Sequence, residues 1–199
     1  LNSLYAGLCA DWDIDSFANN KASVDNARRM GYVWSTDGGG LYAGMKLLSH
    51  TAGFTHYAID NETGGSGLNL SDGTFSDTEK YEALSTSRSD AGAIRTTGND
   101  VIDVVSSGPF SLAPGSSASV AFALIGGENL TMLQESADAA QFKYDSLFVG
   151  IESISLATGY SLEQNYPNPV NGISRIQFTI KENAQTSLTL YDAQGKKVK

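Results

Sequence analysis

Tyr160-Ser161-Leu162-Glu163-Gln164-Asn165-Tyr166-Pro167-Asn168-Pro169-Val170-Asn171 leads into Ile176-Gln177-Phe178-Thr179-Ile180 and then Leu188-Thr189-Leu190-Tyr191-Asp192-Ala193-Gln194-Gly195. Pro167 and Pro169 fix φ and lack the backbone N–H, so this lead-in is extended but is not a central strand. Ile176, Phe178 and Ile180 alternate with polar neighbours, and so do Leu188 and Leu190. Both segments are predicted as half-buried strands. Lys181-Glu182-Asn183-Ala184-Gln185 supplies the polar turn between them. Asp192-Ala193-Gln194-Gly195 supplies a second turn, where Gly195 is free to take a positive φ.

In order and spacing, Gln164, Asn165, Tyr166, Pro167, Asn168, Pro169 and Asn171, followed by Tyr191, Asp192 and Gly195, resemble the type IX secretion C-terminal sorting domain. Val170 stands where that family has Phe. The resemblance implies a partial Ig-like β-sandwich over residues 160–199, recognised by the type IX secretion machinery. It is an address and not an active site, and it places the protein outside the cell or on its outer surface. Family members continue for further strands and a basic tail. The open edge and apolar face of these strands are therefore expected to be completed by more chain or by a neighbouring copy, with self-assembly as one outcome.

Upstream, Leu4, Ala6, Leu8, Ala10 and Trp12 share one side of a first strand and Tyr5, Gly7, Cys9 and Asp11 the other. Apolar residues on both sides predict an interior strand with a buried Cys9. Residues 19–29 are predicted to hold a short helix carrying Val24 and Ala27. After the turn Thr36-Asp37-Gly38-Gly39-Gly40 come strands at 41–48 and 54–59. Ser76 and Glu79 have capping-box spacing before a short helix with Tyr81 and Leu84 on its apolar side. A strand at 101–105, a break at Gly108-Pro109 and a strand at 119–125 covered on both faces follow. Asn129 is the N-cap of the longest helix, to 146, with Leu130, Leu133, Ala137, Ala140 and Tyr144 on one side. The expected fold class is mainly β (α+β): a β-sandwich-like domain with two or three short helices over 1–147, a linker over 148–159, and the partial sorting domain over 160–199. Tyr5 to Ile14, Asn19 to Ala22, Tyr42 to Leu48 and Ser107 to Gly115 also resemble, more faintly, a module lying between the catalytic and sorting domains of secreted subtilisin-like peptidases.

The net charge of −9 argues against a nucleic-acid partner, whose phosphates need clustered Lys and Arg. No run of about 18 apolar residues exists to span a membrane as a helix. The start, Leu1-Asn2-Ser3-Leu4-Tyr5, lacks the basic residues of a signal peptide. One cysteine permits no intrachain disulfide.

Asp11, Asp13 and Asp15, with Asn19 and Asn20 beyond, gather hard oxygen ligands suited to calcium. Ser16 and Ala22 occupy the positions where an EF-hand needs Gly and Glu, so a plain turn is the alternative. His50 and His56 lack the further ligands of a zinc site and are expected to be packed or hydrogen-bonded. Gly64-Gly65-Ser66-Gly67-Leu68 fails the nucleophile-elbow pattern at Leu68, and Gly39 to Lys46 fails the phosphate-loop pattern at Met45. Trp12, Tyr32, Trp34, Tyr42 and Tyr57 are either core anchors or a sugar platform. The expectation is a non-catalytic, secreted or cell-surface protein with no catalytic residue and no cofactor other than calcium. A subunit of an extracellular filament, sheath or surface layer, and a carbohydrate-binding or protease accessory module, are the alternatives.

Overall fold

The structure is a computed structural model that describes residues 1–68, 70, 73–148, 160–163, 165–166, 168, 171–191 and 196–198. It divides into two compact units, Leu1–Leu147 and Phe148–Lys199. The chain is mainly β, with three sheets and two α-helices among the described residues.

In the first unit, strands β1 (Leu4–Asp11), β5 (Phe54–Asp60) and β6 (Val101–Phe110) form an antiparallel sheet in the order β1-β6-β5. Strands β2 (Asn20–Asp25), β3 (Met30–Ser35), β4 (Tyr42–Leu47) and β7 (Phe122–Gly127) form a second sheet in that order. The sheets pack face to face. Ala22 and Val33 of one meet Ala58 and Val101 of the other, and Met45 and Leu47 meet Val105, Ala10, Trp12 and Phe54. Helix α1 (Asp77–Ser85) covers the outer face of the first sheet, where Ala83 and Leu84 pack with Tyr57, Ile59, Ile102 and Val104. Helix α2 (Leu130–Phe148) covers the outer face of the second, burying Leu133 and Ala137 on Met30. The result is four layers, helix–sheet–sheet–helix.

Both helix starts form as local chemistry dictates. The Ser76 hydroxyl accepts from the Glu79 amide while the Glu79 carboxylate accepts from the Ser76 amide, completing the capping box. The Asn129 side chain accepts from the amide of Met132 at 3.0 Å.

Several elements depart from expectation. Strand β1 is an edge strand, not an interior one. Both its faces are apolar because Ala10 and Trp12 enter the sandwich while Tyr5 packs edge-on against Tyr81 of α1, so layers replace a second strand neighbour. Residues 20–25 are strand, not helix. Val24 and Ala27 have helical spacing, but Ala22 and Val24 alternate in a hairpin whose turn holds Arg29 at φ 54° and is closed by the Arg28 amide donating to Asp25 at 3.1 Å. Strand β6 runs through Gly108-Pro109 to its end at Phe110. Strand β7 is not covered on both faces: it too lies at an edge, and Leu124 is 65 % exposed.

Cys9 is exposed, on the open side of β1. Burial of its sulfur, then the charges of Asp103 and Asp11, nevertheless push the thiol up to about 11, so it stays protonated and unreactive at neutral pH. His50 is exposed, in the connection from β4 to β5.

In the second unit, β8 (Ser161–Leu162) pairs antiparallel with β9 (Phe178–Thr179). The expected strand at 188–191 does not form; Tyr191 makes only an isolated bridge with Lys197. Phe178, Leu188 and Leu190 are 47 %, 55 % and 55 % exposed. Their apolar alternation thus finds no inner face among the described residues of this unit, and without one a ladder gains little from forming.

Candidate functional site

Strand ends place the main acidic site. Antiparallel register sets Asp11, the last residue of β1, opposite Ile102 near the start of β6, and sets Asp60 of β5 opposite Val101. The residues just beyond, Asp13, Asn61 and Asp100, converge at the same end of the sheet. One carboxylate oxygen each from Asp11, Asp13 and Asp100 lies within 4.8 Å of the other two. Asn61 joins this corner: its amide nitrogen donates to Asp100 at 3.2 Å, and its backbone N–H donates to the Asp100 carbonyl at 3.0 Å. The Asn61 side-chain oxygen is buried without a hydrogen-bond partner.

Crowded like charges resist ionisation. Burial, then Asp11 and Asp13, push Asp100 up to about 6. Asp11 is raised by burial and by Asp13. A divalent cation would reverse this cost, and carboxylates beside an amide oxygen are the donors that calcium takes. Asp15 does not join the cluster. It sits in the following turn at φ 58°, with its carboxylate against Gly39. Asp100 lies too far along the chain for any local motif to connect it with Asp11.

A buried network supports this corner. Asp60 accepts from the Gly92 amide at 2.8 Å, from Asn99 at 3.1 Å and from Arg88 at 2.5 Å. Burial opposes its ionisation, but the bonds from Gly92, Arg88 and Asn99 outweigh burial and hold its carboxyl below the usual range.

His56 is buried between the sheets, bonded through Nε2 to the buried Asp103. Its Nδ1 has no partner, and no hydroxyl or thiol bonds to either ring nitrogen among the described residues. Of the five aromatics, Trp12 packs within the sandwich and Tyr57 under α1. Tyr32, Trp34 and Tyr42 come together on the outer face of the second sheet. Trp34 and Tyr42, cross-strand partners, lie 5.9 Å apart with ring planes 10° from parallel. Tyr32 lies 5.8 Å from Trp34 and 6.2 Å from Tyr42.

In the second unit, the motif segment runs antiparallel to residues 174–179. Tyr166 and Arg175 exchange backbone bonds of 2.9 and 2.8 Å, and Asn165 donates to Ser174 at 2.9 Å. The Tyr166 side chain is exposed, as are Asn168, Asn171 and Tyr191. Gln164, Pro167, Pro169, Asp192 and Gly195 lie outside the described residues.

Residues 164–199 match the family described as secretion system C-terminal sorting domain. No curated protein and no solved structure matches the chain. The matched segment is similar to the sorting signals of type IX secretion, which indicates that the protein is exported to the medium or to the outer cell surface. No helix among the described residues is long and apolar enough to cross a membrane.

Proposed function

We propose that this chain is part of a secreted or surface-attached protein in which the four-layer unit is a non-catalytic module and residues 160–199 are the signal that the type IX machinery reads. The match over 164–199 carries the export half of this reading. The surface offered to the machinery is the pairing of Ser161, Leu162, Glu163 and Tyr166 with residues 175–179 and the exposed ring of Tyr166, which is shape and edge rather than titrating chemistry. Deleting residues 160–199 in the producing cell, and separately changing Tyr166→Ala, tests this in cell and medium fractions. Deletion should leave the protein inside the cell envelope. Undiminished export would overturn the proposal.

The non-catalytic half is supported by a histidine enclosed between two sheets with no nucleophile bonded to it. In this reading the module resembles the spacer that precedes the sorting domain of secreted subtilisin-like peptidases. Purified residues 1–147 should turn over no peptide, ester or glycoside substrate.

The aromatic trio favours a second reading, carbohydrate binding. Tyr32, Trp34 and Tyr42 are half-buried, Tyr32 and Tyr42 packing in part under α2, and the portion of the cluster left open would take the C–H face of a pyranose, in a protein whose net charge repels polyanions. Retention on insoluble polysaccharide that is lost in Trp34→Ala would support it. Calcium bound by Asp11, Asp13 and Asp100 is the cofactor this proposal includes, as a clamp on the end of the sheet.

A further inference from the structure

Two of the four sheet edges in the first unit are bridged. The free side of β2 is bridged by Ala91 and Asn99, and that of β5 by Arg88. On β7, the Ser136 hydroxyl bonds the Gly126 carbonyl. Among the described residues, β7 and β1 have neither strand nor bridge on their outer sides, and β1 is the longer of the two. Strand β1 has eight residues, LYAGLCAD, with no proline and no lysine to blunt the edge; a register shift lies between Leu4 and Ala6, outside its exposed centre. Its centre, Gly7 to Cys9, is exposed.

Beside this edge lies a cavity of about 310 Å³ lined by Gly7, Leu8, Cys9, Phe75, Leu84 and Val104, with Lys80 as the one charged residue among the described lining residues. Gly7 shapes it: a side chain there would run into Leu84 and the β6 backbone. The Lys80 ammonium stands 6.0 Å from the Phe75 ring centre and 3.3 Å from Asp77, an exposed pair that solvent leaves weak and exchangeable.

We propose that β1 and this cavity form a docking site for an extended peptide segment, which adds as a fourth strand to the first sheet. Main-chain bonds to the β1 edge supply affinity, and side-chain pockets beside an edge supply selectivity. Strand periodicity places alternate side chains of the added segment on the face shared by Gly7 and Cys9. One apolar side chain enters the cavity. A carboxylate two residues away, on the same face, meets Lys80. The lining favours an apolar–x–acidic strand over a basic one, since Lys80 repels cations and no carboxylate is among the described lining residues. This site is independent of the export reading and of the carbohydrate face on the opposite sheet.

The probe is a fluorescent peptide, Thr-Val-Thr-Leu-Thr-Glu-Val, titrated into the full chain. Saturable binding should protect amides within residues 4–11 from hydrogen exchange. The same peptide N-methylated at alternate residues should lose binding in one of its two registers, because one set of amides faces the edge. Lys80→Glu, a change at an exposed position, should weaken the Glu peptide by about tenfold and favour a Lys-containing one. Affinity weaker than about 1 mM, binding indifferent to both N-methyl registers, or protection of β1 that tracks concentration-dependent dimerisation without peptide would each overturn the proposal, the last by assigning the edge to a second copy.

Discussion

His56 Nε2 lies 2.5 Å from Asp103 Oδ1 in the layer between the two sheets, with both side chains almost wholly buried. Gly31 of the facing sheet makes room for the pair, since any side chain there would meet His56 and the Asp103 carboxylate. Removing one member of such a pair strands a buried polar partner, which costs about 1–3 kcal/mol. His56→Ala and Asp103→Ala should each destabilise the first unit by that order. The double variant should lose clearly less than the sum, because the second change removes the group the first left stranded. Additive losses in chemical denaturation would show that the two residues act separately.

What the sequence disclosed follows the range of the interaction. Ser76 with Glu79, and Asn129 with Met132, are set by neighbours three residues apart, and both caps form as read. Strands β4 and β5 were legible, at 41–48 and 54–59, whereas β3 was not read as a strand. Residues 20–29 were not, because Ala22, Val24 and Ala27 satisfy strand and helix periods at once and only pairing with β3 decides. Whether β1 is edge or interior cannot be read from apolarity on two faces, since a helix layer covers a face as well as a strand neighbour covers an edge. The Asp11–Asp13–Asp100 corner and the His56–Asp103 pair join residues far apart in the chain, and no local spacing signals them.

The capping box on α1 is open to a simple test. Ser76→Ala removes the acceptor for the Glu79 amide and should cost about 1 kcal/mol. Glu79→Ala alone should cost less, because the Ser76 hydroxyl still caps the helix. Thermal unfolding of the two variants checks the order, and equal stability to wild type in both would mean that α1 is held by packing alone.

Lys46 is buried, with its ammonium donating to the Arg28 carbonyl at 2.5 Å. Burial, then the charge of Arg29, holds its pKa below the ordinary lysine value. A lysine whose folded pKa is depressed destabilises the native state while charged in it, and this cost is relieved as pH rises from the folded value towards the unfolded one. Lys46→Met keeps the stem volume and removes the charge, so it should raise stability by about 1 kcal/mol at neutral pH. A lower melting temperature would show that the carbonyl bond outweighs desolvation.

Asp100 sets the pH response of the acidic corner. Its carboxyl is pushed up to about 6 by burial and by Asp11 and Asp13. Below the unfolded carboxylate range both states are protonated and Asp100 costs nothing. Between that range and about 6 the native state retains a proton the unfolded chain has released, so stability from this group falls as pH rises. Above about 6 the native carboxyl is ionised and the cost is complete. Asp100→Asn should therefore flatten this part of the profile and raise the melting temperature by a few degrees at neutral pH in chelator. Calcium acts in the opposite sense on the same group. By binding only the assembled corner, it should raise the melting temperature of the wild type at neutral pH, lose most of that effect below pH about 5 where protons compete for the ligands, and leave Asp100→Asn almost unresponsive. Asp15→Asn should respond to calcium like the wild type, because Asp15 stands outside the cluster. A melting temperature indifferent to calcium and chelator at every pH would reduce the corner to a strained turn, and an equal loss of response in Asp15→Asn and Asp100→Asn would place the ion elsewhere.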